Sequence, residues 1–128
     1  MPHEIIETAQ APKAIGPYSQ AVRAGETTWL SGQIALNPAT GELEGPGDIE
    51  AQTHQVMKNL LAVLEAAGHR PTDLVRTTIY LVNLEDFAVV NSIYGAALGG
   101  HRPARATVQV ARLPKDSLVE IDGVAVGG

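Results

Sequence analysis

With 128 residues, the chain is the size of one domain, expected to span 1–128, and it can bury a core without covalent staples. It has no cysteine, which excludes disulfides, thiolate catalysis and Cys-type zinc sites and suits a reducing cytoplasm. A net charge of −5, with both signs mixed along the chain, argues against nucleic-acid binding, which draws on a basic patch.

The start of the chain, "MPHEIIETAQAP", lacks the basic segment and apolar run of a signal peptide, and a short strand fits Glu4–Thr8. No apolar stretch reaches the roughly 20 residues of a membrane helix. "GPYSQAVRAGE" reads as a strand that turns at "AGE" into a second strand, "TTWLSGQIAL". In that second strand Trp29, Ser31, Gln33 and Ala35 alternate with Leu30, Gly32, Ile34 and Leu36. Asn37–Asp48, rich in Gly and Pro, is a loop. Asp48 can cap a helix that runs to Gly68 with Ile49, Val56, Leu60, Val63 and Ala67 on its apolar stripe. Leu74–Val82 is a β-branched strand, and Phe87, Val90, Ile93 or Tyr94, and Ala97 mark a second helix. Strands at Ala104–Ala111 and Leu118–Val126 close the chain.

Strand–helix–strand units favour parallel pairs with right-handed crossovers. Two helices cover one face of such a sheet, so another subunit is the natural cover for the other. With one Trp, three Tyr and one Phe, the core is built of small side chains, which also favours self-association.

Two charges stand inside the last two strands: Arg105 and Glu120. If those strands formed a hairpin about Lys115, Glu120 would face Val110 and Arg105 would lie roughly 15 Å away. Either the strands are not neighbours, or a site drawing on both residues takes them from two chains. Alone, each charge is accounted for by an ion pair. Together they offer a planar two-pronged match to a carboxylate and an acid able to orient or deprotonate water. The four histidines show no metal-ligand pattern and read as surface residues. Ser31 has no adjacent base for a nucleophile's role. Tyr18 suits packing against a partner as well as a ligand, and mid-helix Asn91 reads as a polar surface position.

The segments "IGPYSQAV", "SGQIALNPATGEL", "LEAAG", "DFAVVNSIY" and "PARATVQVARLPKDSLVEID", taken in order, resemble the RidA (YjgF-type) reactive intermediate deaminase family over nearly the whole chain. The resemblance implies a chorismate-mutase-like α+β fold: a six-stranded mixed sheet with two helices packed on one face, and a homotrimer with its sheets packed centrally. It places the last strand between "TTWLSGQIAL" and "LVRTTIYLV", with Glu120 beside the Ser31 strand and Arg105 two strands away at an edge. It implies hydrolysis of 2-enamines and 2-imines, such as 2-aminoacrylate and 2-iminopropanoate, to 2-keto acids and ammonia, with no metal or organic cofactor. Arg105 then matches the carboxylate clamp and Glu120 the acid that places water. Tyr18, Ser31, Gly32, Asn91 and Thr107 match substrate-binding positions, Gly32 and Thr107 through their backbones. Thr107 stands where some members carry Cys, and the short "GAALGGHR" lacks the aromatics common there. A trimer that only binds or carries a keto acid needs the clamp but not the acid. A nuclease or translation inhibitor, labels some relatives carry, conflicts with the acidic charge, and a chorismate mutase needs a more cationic pocket.

Overall fold

The computed structural model of the protein describes residues 3–127. Six strands form one mixed sheet: β1 (Glu4–Ile6), β2 (Ala21–Ala24), β3 (Thr27–Gln33), β4 (Leu74–Leu81), β5 (Ala104–Gln109) and β6 (Val119–Val126). Helix α1 (Ile49–Ala66) joins β3 to β4, and α2 (Phe87–Ala97) joins β4 to β5. The strand order is β1-β2-β3-β6-β4-β5, so the last strand is inserted at the middle of the sheet, as the resemblance implies. Only β4 and β5 pair in parallel. Strand β6 runs antiparallel to both β3 and β4. No helix among the described residues is long and apolar enough to cross a membrane.

Both helices lie on one face. Asp48 caps α1 by accepting from the Ala51 N–H at 3.1 Å. The helix ends through Gly68, whose φ of +84° is costly for a side chain. Val56, Leu60, Val63 and Ala67 are buried as their spacing predicts, and they meet Leu30, Ile79, Leu81, Val119, Ile121 and Ala125 from the sheet. Every second residue of β6, from Val119 to Ala125, points into this core, and the residues between point to the opposite face. Among the described residues that opposite face carries no helix, and Trp29 is 57% exposed and Val126 42% exposed.

The alternation read through "TTWLSGQIAL" breaks down halfway. Trp29 faces the open side and Leu30 the core, but the register of β3 against β6 shifts between Leu30 and Gln33. Beyond the shift Gln33 and Ala35 are buried, although unbroken alternation puts them on Trp29's face. The strand also ends at Gln33 instead of running on to Leu36.

The histidines correct the sequence reading as well. His69 is buried, with Nε2 2.7 Å from the Thr28 hydroxyl and Nδ1 3.0 Å from Asp73. His101 is half-buried, its Nε2 2.7 Å from the Leu74 carbonyl. Thr28, His69 and Asp73 have the connectivity of a hydrolytic triad. Yet Thr28 is fully buried under α1, so no substrate reaches its hydroxyl. The three groups instead bolt the end of α1 to β3 and to the start of β4. His69 and Arg70 hydrogen-bond Asp73 and hold its carboxyl below the usual carboxylate range.

Candidate active site

The seven residues singled out from the sequence fall into two groups on opposite faces of the sheet. Arg105, Thr107 and Asn91 lie on the helix side, at the β5 edge. Glu120, Ser31, Gly32 and Tyr18 lie around a hollow at the open side.

On the helix side, the parallel register sets Arg105 beside Thr77 and Thr107 beside Ile79. The Arg105 Nη1 donates to Asn91 Oδ1 at 2.7 Å. Its guanidinium lies 5.5 Å from the Phe87 ring centroid and 5.2 Å from that of Tyr94. No acid pairs with it among the described residues, so the ion-pair account of Arg105 does not hold within one chain. Its remaining N–H groups make no side-chain hydrogen bond to the described residues. Arg105, Asn91, Phe87 and Thr107 close around a gap under α2 too small to hold a water molecule. Among the described residues, the Thr107 hydroxyl is the one buried side-chain polar atom with no hydrogen-bond partner, a condition proteins rarely leave uncompensated. Asn91 is exposed, as a polar helix position should be, but it holds the arginine in place. Phe87 and Tyr94 were legible only as an apolar stripe. What the spacing could not convey is that this stripe lies under a cation.

On the open side, Glu120 lies directly across from Tyr80 on β4. The Tyr80 hydroxyl donates to Asp122 Oδ2 at 2.9 Å. On the other flank Glu120 meets the irregular part of β3. A methyl group built on Gly32 would overlap the Glu120 carboxylate. Glycine is thus required there for close approach, and the register shift in β3 opens the same place. Burial pushes the Glu120 carboxyl above its ordinary value, and the neighbouring Asp122 charge adds to the rise. Ser31 is anchored by donating its hydroxyl to the Ser19 carbonyl at 2.6 Å and its N–H to the Gln20 carbonyl at 3.0 Å. These bonds tie β3 to the segment carrying Tyr18, whose ring is 55% exposed. Tyr18, Ser31, Gly32 and Glu120 line a hollow of about 550 Å³, with Lys115 and Lys13 also on its wall. Lys115 and Asp116 both have positive φ, at +57° and +55°, in a turn whose shape the sequence did not announce.

The sheet itself separates the two groups. Strand β4 lies between β5 and β6, with Arg105 opposite its Thr77 and Glu120 opposite its Tyr80. At ordinary strand spacing and rise their Cα atoms are roughly 14 Å apart, and their side chains leave opposite faces. The hairpin considered from sequence is therefore absent, and one small ligand cannot touch both side chains of a single chain.

This geometry can be set beside known proteins. The chain matches the model of the family described as endoribonuclease L-PSP over residues 8–127. It is 49% identical to a RutC family protein of Pyrococcus horikoshii, covering 95% of this chain and 96% of that one. It is 48% identical to the 2-iminobutanoate/2-iminopropanoate deaminase of Escherichia coli, covering 94% and 95%. The crystal structure of E. coli TdcF with bound serine superposes with a TM-score of 0.92 at 42% identity, over 98% of this chain and 99% of that one. Matching along nearly its full length in sequence and in fold, the chain belongs to the RidA/YjgF family.

Proposed function

We propose that this chain hydrolyses 2-imino acids, and the enamines that tautomerise to them, to 2-keto acids and ammonia, in sites shared between copies of itself. The observation that carries the reading is Arg105: a cation resting on two rings, paired with no acid among the described residues, and free to take a carboxylate. The near-full-length likeness to an E. coli protein of that activity supports the choice of reaction.

Two half-sites on opposite faces call for a second copy to bring one Arg105 to another chain's Glu120. A homotrimer meets the need if its protomers pack through the open face, where Trp29 and Val126 otherwise stay in water. In the assembled cleft Arg105 takes the substrate carboxylate in a two-pronged hydrogen bond. The unpartnered Thr107 hydroxyl gains an acceptor there. Glu120, ionised, accepts a proton from water as the water oxygen bonds to the imine carbon, and a carbinolamine forms. Its raised proton affinity makes it a stronger base than an exposed carboxylate. Glu120 passes that proton to the carbinolamine nitrogen and takes the hydroxyl proton in its place. The oxygen electron pair closes the C=O bond as the C–N bond breaks with its pair on nitrogen, and ammonia departs from the 2-keto acid. Tyr18 and Ser31 bound the space in which the imine sits.

An imine carbon is already electrophilic, so holding the substrate and aiming one water account for the acceleration. Cleavage of RNA, which the family description names, has less to support it in a chain of net charge −5. A carrier of keto acids needs Arg105 but not a half-buried acid fitted against a glycine.

The test is to generate 2-aminoacrylate with a dehydratase in the presence of semicarbazide. The protein is expected to suppress semicarbazone and speed release of pyruvate. Binding of pyruvate with no effect on trapping across several imino acids would favour the carrier.

A further inference from the structure

Phe87, Asn91 and Tyr94 stand at i, i+4 and i+7 on α2, one stripe that faces the β5 edge. All three meet the same guanidinium: Asn91 Oδ1 accepts from it at 2.7 Å, and the two ring centroids lie at 5.5 and 5.2 Å. The Tyr94 ring is itself fixed. Its hydroxyl lies 2.6 Å from the Thr77 hydroxyl, and both residues are buried. Thr77 is the residue of β4 that sits directly beside Arg105 in the parallel register. Strand neighbour, ring and arginine therefore form one closed chain of contacts. A free arginine samples many rotamers and loses that freedom when it binds a ligand. One held beforehand has less to lose.

We propose that Phe87 and Tyr94 are positioning residues, which set the Arg105 guanidinium in its carboxylate-binding direction before substrate arrives, with Thr77 fixing the Tyr94 ring. The proposal rests on the reading of Arg105 as the carboxylate clamp. Because the clamp holds substrate and transition state alike, loosening it raises KM and leaves kcat in place.

Two measurements on the full-length protein decide the matter. The first is NMR of the arginine Nε–H groups, which needs no substrate. In the wild type the Arg105 signal is expected to be ordered and shifted upfield by the rings. Phe87→Leu and Tyr94→Leu should move it toward the free-arginine position and mobilise it. The second is turnover of imino acids. Phe87→Leu should raise KM about two- to six-fold, the worth of an exposed cation–π contact, with kcat little changed. Phe87→Tyr, which restores a ring, should stay near wild type. Phe87 is 41% exposed, so its leucine variant folds even if Tyr94→Leu does not. A mobile, unshifted Arg105 in the wild type overturns the proposal. So does a Phe87→Leu variant that matches wild type in both measurements, or a Phe87→Tyr variant as damaged as the leucine one. Should the wild type turn over no imine, the proposed reaction fails while the NMR result still decides the positioning.

Discussion

The two faces of the sheet differ in how finished they are. On the helix side, Arg105 is already surrounded: two rings, an amide, and a strand neighbour that locks one of the rings. On the open side, Glu120 sits in a hollow whose wall includes an exposed tyrosine, on the same face as a tryptophan left in water. On the reading proposed above, the helix face is completed by the chain itself and the open face by another copy. That reading makes carboxylate binding a property of the folded protomer and water activation a property of the assembly.

The sharpest way to break this contrast is to remove the clamp. Arg105→Ala should cost at least about 100-fold in kcat/KM through loss of a charge-assisted two-pronged contact, and leave the oligomer intact. Arg105→Lys should recover only part of the loss, since an ammonium lacks the planar fork. Next is assembly: Trp29→Asp puts a charge on the open face and should shift the protein toward monomer in sedimentation, with activity falling in step. If activity survives in a monomer, the open face is not where the site is completed. Gly32→Ala follows, since its methyl must displace the Glu120 carboxylate. A loss of about ten-fold or more in kcat is expected, with KM less affected.

Acid pH should act on the Glu120 side alone. The base works only when ionised, and its proton affinity is raised, so kcat should fall with pH at a midpoint above that of an ordinary carboxylate. Asp122→Asn removes the smaller of the two causes of that rise and should move the midpoint down. A smaller effect is expected on Thr107→Val, about two- to ten-fold in KM, for loss of one hydrogen bond of ordinary worth.

Much of the fold was legible because the governing signals are local. Asp48 and Gly68 punctuate α1 through capping and φ, and β-branched residues mark β4. The strand order was not local. Nothing in the composition of Val119–Val126 says that it enters mid-sheet, and only the family likeness pointed there. The break at Gly32 is invisible to alternation, which assumes an unbroken ladder that a glycine admitting a carboxylate from the next strand violates. Nothing local in the sequence marks His69 as buried, because its partners, Thr28 and Asp73, gather around it only when α1 packs down. Of the site, the charged pair stood out as misplaced charges in apolar strands. Its division between two faces was beyond reach, since a strand's two sides can be told apart only once its neighbours are known.

The central claim is that one working site takes Arg105 from one protomer and Glu120 from another. Arg105→Ala and Glu120→Gln proteins, each inactive alone, can be unfolded together and reassembled at equal concentration. If the claim holds, mixed rings regain about a quarter of wild-type activity, because one subunit boundary in four pairs an intact arginine with an intact acid. A mixture as inactive as its components, in rings shown by mass to contain both chains, would contradict it.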